Sequence, residues 1–215
     1  MKYYEMPTAL SEADAVILAN GEFPKHEIPL AILRNCKYLV CCDGATDKLK
    51  HTSIEPQAIV GDCDSLSNEN KERYARIIHP NPDQEINDLT KSVNYCVEQG
   101  FKKLIILGAT GQREDHTLGN ISLLLEYMNK DIDVQMITDY GVFVSIDSDS
   151  QFESFEGQQV SIFSVFRGEI TTHNLKYPVN KRVFTNWWQG TLNESDNAEF
   201  SIETTDKLIL YRVFG

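Results

Sequence analysis

The chain has 215 residues, 41% hydrophobic and 24% charged, with a net charge of −12. That length can bury a sizeable core, as one domain or as two small ones. The acidic balance argues against a nucleic-acid polymer as ligand, since polymer phosphates need a basic face, but it leaves room for a single nucleotide held by a metal and a few local cations.

Ala15-Val16-Ile17-Leu18-Ala19 is a short apolar run ending at Asn20-Gly21, which reads as a buried strand followed by a turn. Tyr38-Leu39-Val40-Cys41-Cys42 and Ala58-Ile59-Val60 read the same way, Ile77-Ile78 more weakly, and Leu104-Ile105-Ile106-Leu107 again strongly. Helical patterns lie between them. Leu89, Val93, Cys96 and Val97 recur at helix spacing behind a capping Asn87. Leu118, Ile121, Leu124, Leu125 and Met128 form a second stripe, with Asp115 expected as its cap. Strands alternating with amphipathic helices predict βαβ units and a mostly parallel, Rossmann-like sheet.

Near residue 140 the character changes. Short alternating or aromatic runs follow, such as residues 160–166 (VSIFSVF) and 207–213 (KLILYRV), and no amphipathic helix is evident. Twelve of the 21 aromatic residues fall beyond residue 140, which suits the core of an antiparallel β-sandwich. The expected division is an α/β domain over 1–140 and a β-sandwich over 141–215. Trp187-Trp188, read as neighbours in a strand, should place one ring in the core and one outside. No apolar run reaches the roughly 20 residues that span a bilayer. The polar N-terminus lacks the apolar stretch of a signal peptide. Five cysteines, odd in number and without C-x-x-C spacing, argue against disulfides or zinc and point to a reducing cytoplasm.

The polar clusters follow the strands. Asp43-Gly44 comes after the second, Asp62 and Asp64 after the third, Asp83 through Asp88 after the fourth, and Gly108 through His116 after the fifth. Parallel strands present their carboxyl ends on one edge, where open α/β sheets bind ligands, so four loops should converge there. Each cluster alone has an ordinary explanation as a turn or a helix start. In an extended loop, Asp62 and Asp64 would point the same way and could face one hard cation, with small neighbours leaving room for a polyphosphate. Asp88 opens a helix and Lys91 lies one turn later on the same face. Gly108 and Gly111 let backbone N–H groups approach an anion, and Arg113 can grip phosphate in a planar fork. His116 sits at the same helix start.

Taken in order, these stretches resemble the thiamine pyrophosphokinase family. Its motifs stand here as Asp43-Gly44-Ala45, Gly61-Asp62-Cys63-Asp64-Ser65, Asp83-Gln84-Glu85-Ile86-Asn87-Asp88-Leu89-Thr90-Lys91, Gly108-Ala109-Thr110-Gly111-Gln112-Arg113-Glu114-Asp115-His116 and Asn174-Leu175-Lys176-Tyr177. The resemblance covers nearly the whole chain, from about residue 14 on. It implies transfer of a pyrophosphoryl group from ATP to the hydroxyl of thiamine, giving thiamine diphosphate and AMP. It implies Mg²⁺ held by Asp62, Asp64 and Asp88, and phosphate contacts from Asp43, Gly44, Lys91, Gly108, Gly111 and Arg113. Asp115 would orient or deprotonate the thiamine hydroxyl, bind metal, or cap its helix. A homodimer is implied too, with thiamine between subunits, stacked on Tyr177 and near Asn193 and His116. The chain departs from the family pattern at Ala45 and Asn87, at Asn174 where glycine is usual, and at Leu192 where serine is usual. Two other classes use similar parts: a non-catalytic thiamine or nucleotide sensor, and a magnesium-dependent phosphatase of the haloacid dehalogenase type. The latter has its nucleophilic Asp directly after a strand, whereas Gly61 is expected to intervene here.

Overall fold

The computed structural model describes all 215 residues. In chain order the strands and helices are β1 (Lys2–Tyr4), β2 (Ala15–Leu18), α1 (Glu27–Asn35), β3 (Leu39–Cys42), β4 (Ala58–Gly61), α2 (Asn68–Arg73), β5 (Ile78–Pro80), α3 (Asp88–Glu98), β6 (Lys103–Leu107), α4 (Glu114–Tyr127) and β7 (Asp133–Ile137). An all-β stretch follows: β8 (Gly141–Ile146), β9 (Ser150–Glu153), β10 (Gln159–Ser164), β11 (Glu169–His173), β12 (Arg182–Val183), β13 (Asn193–Glu194), β14 (Glu199–Thr204) and β15 (Leu208–Val213). The chain forms two compact units, Ala9–Asp139 and Met1–Thr8 with Tyr140–Gly215.

In the α/β unit, six strands run parallel in the order β7-β6-β2-β3-β4-β5. β2, β3 and β4 are buried at every position, so they read as unbroken apolar runs rather than as alternation. β5 is partly exposed and ends on Pro80, a residue without an N–H that belongs on a sheet edge. Asn87 caps α3 as expected, its side chain accepting from the Thr90 N–H at 2.8 Å.

α4 differs from expectation. Arg113 occupies the cap position without a side-chain cap, and Asp115 lies inside the first turn. Only Leu124 and Tyr127 of the helix are buried, while Leu118 is 54% exposed. The apolar stripe packs on the sheet only toward its C-terminal end, and the other end borders a cavity.

The β unit contains the sheets β1-β9-β14-β11-β12 and β13-β10-β15-β8. Alternation places Val160, Ile162, Phe200 and Ile202 inside. Across the two sheets reaches Arg212, fully buried, donating to the carbonyls of Tyr4 (3.0 Å), Glu5 (3.0 Å) and Glu153 (2.8 Å). Its guanidinium lies 5.3 Å from the Phe152 ring centroid, and burial pushes its pKa down to about 10.

The boundary near residue 140 falls where the composition changes, but the first eight residues belong with the β unit rather than the α/β unit. β1 pairs in parallel with β9, and Tyr4 is buried with its ring stacked 5.1 Å from Phe152. Trp187 and Trp188 also depart from the expected strand. They lie in a 3-10 helix held by a capping box between Asn186 and Gln189, and both are exposed, at 48% and 69%. No helix is long and apolar enough to cross a membrane, and all five cysteines are free.

Candidate active site

β2 occupies the middle of the parallel sheet. The chain moves outward from it through β3, β4 and β5, then returns to β6 on its other side. A reversal of this kind opens a crevice at the carboxyl ends of the two strands. The loops after β2 and β6 are stitched together by Gly21 N–H to Gly108 O (2.7 Å) and Glu22 N–H to Thr110 O (2.8 Å). A Cβ on Gly21 would stand 2.4 Å from the Thr110 carbonyl oxygen, so only glycine fits there. Beside this seam lies a cavity of about 470 Å³ bordered by Asp43, Gly44, Asp88, Gly111, Arg113 and His116. Segments following β2, β3, β4, β5 and β6 all line this one cavity, the four expected loops together with the Asn20-Gly21 turn. Gly108 and Asp115 flank these lining residues in the same loop and helix start.

Asp43, which borders the cavity, also meets two carboxylates that do not line it, Asp62 and Asp64. One carboxylate oxygen from each of Asp43, Asp62 and Asp64 lies within 4.8 Å of the others. Asp62 and Asp64 do not reach this arrangement through an extended loop. Cys63 has φ 66°, and the Asp62 Oδ1 accepts from the Asp64 N–H at 3.2 Å, which makes a tight turn. That bond is the main cause holding the Asp62 pKa below its usual value, with the Gln84 amide donating at 3.2 Å as the next. Asp43 is buried in a 3-10 helix, Asp43–Leu49, where a simple turn was expected. Its Oδ2 accepts from the Ser65 N–H (3.0 Å) and hydroxyl (2.6 Å), while its Oδ1 is buried without a partner. A Cβ on Gly61 would meet the Asp43 Cβ at 2.7 Å and the Asp88 Oδ1 at 3.3 Å, so this glycine lets both acids approach.

Asp88 is half-buried, and burial raises its pKa against the opposing pull of Lys91. The Lys91 ammonium, itself buried, donates to Asp88 Oδ1 at 3.1 Å. Arg113 forms a two-point contact with Asp115, Nε to Oδ1 at 3.1 Å and Nη2 to Oδ2 at 2.5 Å. This contact, with the His116 N–H, holds the Asp115 carboxyl below the usual range and makes it a poor proton acceptor. Sequence reasoning missed Lys48, half-buried by the Asn20-Gly21 turn and donating to the Gly21 carbonyl. The turn itself, at the carboxyl end of the first buried strand, was the available signal.

In the β unit, Tyr177 is 61% exposed. Asn193 clamps its backbone from both sides, accepting from the Tyr177 N–H (3.1 Å) and donating to its carbonyl (2.9 Å). Asn174 has φ 60°, which explains its replacement of a glycine: asparagine tolerates that region better than other residues with a side chain. Leu192, also at positive φ (58°), is 73% exposed. Nothing in the structure explains why leucine occupies that position.

Two family models match the chain. One, described as thiamin pyrophosphokinase, catalytic domain, matches residues 30–136, and the other, thiamin pyrophosphokinase, substrate-binding domain, matches residues 141–211. Thiamin pyrophosphokinase 1 of Caenorhabditis elegans is 30% identical over 119 residues, 51% of this chain and 49% of that one. Thiamine pyrophosphokinase of Bacillus subtilis is 27% identical over 146 residues, covering 64% of this chain and 68% of its own. The matched stretches span about half the length of the worm protein and of a rice thiamine pyrophosphokinase 1, at 49% and 54%. The solved thiamin pyrophosphokinase of Candida albicans shares the fold at TM-score 0.80 and 17% identity, over 100% of this chain and 93% of that one. The Bacillus subtilis structure gives 0.77 and 20% over 93% and 98%.

Proposed function

This chain belongs to the thiamin pyrophosphokinase family, and we propose that it transfers the pyrophosphoryl group of ATP to the hydroxyethyl oxygen of thiamine, releasing AMP. The observation that carries this reading is the gathering of Asp43, Asp62 and Asp64 beside a cavity at the carboxyl edge of the parallel sheet. Mg²⁺ fits such a site, because every donor is an oxygen and one buried Asp43 oxygen has no hydrogen-bond partner. Asp62, Asp64 and Asp88 are assigned to hold it, and when bound it would offset charge on the phosphate oxygens.

The chain's own groups do the rest by position and electrostatics. Gly44, Gly108 and Gly111 leave the backbone open to phosphate, and Lys91 and Arg113 supply cations. For Arg113 this requires its fork to leave Asp115 for the triphosphate. Asp115 is then free to accept a hydrogen bond from the thiamine hydroxyl and orient it, a role that suits a carboxyl with a low pKa better than proton abstraction does. His116 lies beside it at the cavity. β4 runs through Gly61, so Asp62 directly follows its strand. The spacing argument against a phosphatase therefore fails, and the family match is what favours the kinase.

Product chemistry separates the alternatives. With ATP and Mg²⁺, the kinase forms AMP only when thiamine is present. Inorganic phosphate released without thiamine would indicate a phosphatase, and binding without AMP a sensor.

We further assign thiamine to Tyr177 and Asn193 in a homodimer, each site completed by the second subunit. The exposed Tyr177 ring and its clamped backbone support this, since a flat cation favours an aromatic face by about 0.5–2 kcal/mol. Tyr177→Ala is expected to raise KM for thiamine roughly tenfold, the kinetic equivalent of about 1.4 kcal/mol, and to leave KM for ATP within about twofold. Steady-state kinetics with each substrate varied checks this, and equal changes in both constants would remove Tyr177 from the thiamine site. Five free thiols suit a reducing cytoplasm.

A further inference from the structure

We infer that the divalent cation enters before the nucleotide, and that its protein ligands at that stage are Asp43, Asp62 and Asp64, with Asp88 joining only when phosphates are bound. The inference rests on the magnesium-dependent reading above but alters its ligand set. Asp43, by its place in the sequence, belongs to a turn near phosphate. In the structure it is 1% exposed, and one of its oxygens has no donor at all. A buried carboxylate oxygen without a hydrogen bond is costly, and a cation is the partner that would remove the cost.

The other Asp43 oxygen is fixed by two bonds from Ser65, the residue after Asp64. One carboxylate thereby ties the 3-10 helix to the turn that carries Asp62 and Asp64, and one carboxylate oxygen from each of the three acids lies within 4.8 Å of the others. Asp88 is in a different condition. Its Oδ1 is already held by the buried Lys91 ammonium at 3.1 Å, so it has a cationic partner without an ion. Triphosphate offers Lys91 a second anion, which weakens that hold and frees Asp88 to bind metal. Ion first and nucleotide second follows from this difference between the two acids.

Mn²⁺ binding to the nucleotide-free protein tests it, followed by loss of the free-ion electron paramagnetic resonance signal. Asp43→Asn can keep the Ser65 bonds through its amide oxygen while placing an N–H₂ where the ion would lie. This variant is expected to lose about tenfold or more in Mn²⁺ affinity, since ligand charge sets affinity at such sites. Asp88→Asn should stay within about threefold of the parent chain without nucleotide, and lose affinity only when a non-hydrolysable ATP analogue is present. Wild-type affinity in Asp43→Asn overturns the inference. So does an equal loss in Asp88→Asn without nucleotide, a measurement that still decides the matter if Asp43→Asn fails to fold. No thiamine and no turnover enter the experiment, so its failure is distinct from failure of the proposed reaction.

Discussion

Asp62→Asn and Asp64→Asn are each expected to lower kcat by about 10²–10³-fold, the usual cost of removing one preorganised electrostatic contact to a transition state. The fold should survive. In Asp62→Asn the amide oxygen can still accept the Asp64 N–H, so the tight turn at Cys63 keeps its main bond, and only the contact from Gln84 is lost. In the metal-free protein, three carboxylates within 4.8 Å repel one another, so removing one charge should hold or raise the melting temperature. A stability gain paired with an activity loss marks a site whose charges serve binding rather than folding. Near-normal turnover of both variants at limiting Mg²⁺ would show that the acids are a solvated turn.

Removal of residues 1–8 is expected to destabilise the β unit by about 3–5 kcal/mol, a large part of the stability of a domain this size. Truncation strips the Tyr4 and Glu5 carbonyls from Arg212 and leaves that cation with the Glu153 carbonyl alone. It also removes the buried Tyr4 ring from Phe152. A double-mutant comparison separates the two losses. In the full chain, Arg212→Met should be destabilising, because three carbonyls lose their donor. In the truncated chain the same change should be neutral or stabilising, because it removes a cation that has lost its partners. Urea unfolding of the four chains would measure this. If Arg212→Met has the same effect in both backgrounds, the eight residues are not coupled to the arginine.

The sequence made the parallel sheet legible because its central strands are buried on both faces and appear as unbroken apolar runs. Asn87 and the helix it caps were legible for a similarly local reason. What stayed hidden depended on long-range contacts. Nothing in KYY predicts that Tyr4 packs against Phe152, nearly 150 residues away in the chain, and nothing in LYRVF marks Arg212 as an interior residue. At the site, the loops were legible from their positions after strands, while the grouping within them was not. Asp43 reads as a turn residue until the 3-10 helix buries it beside Ser65. Arg113 reads as free to grip phosphate until its fork is seen on Asp115. The tryptophan pair was misread because a capping box at Asn186 and Gln189 bends into a helical turn a stretch that β-propensity would extend.

The two units also differ in when they can be completed. All contacts within Ala9–Asp139 become available once that continuous stretch has left the ribosome, so the α/β unit can fold while translation continues. The β unit instead joins β1 to β9 and to Arg212 of β15, with the whole α/β unit between them in the chain. β1 has no strand partner until β9 has been made, and the carbonyls of Tyr4 and Glu5 gain their donor only when Arg212 follows. Closing a contact across some 200 residues is slow compared with forming local structure. Refolding from denaturant should therefore be biphasic, with the parallel sheet recovered first and the N-terminal strand docking last.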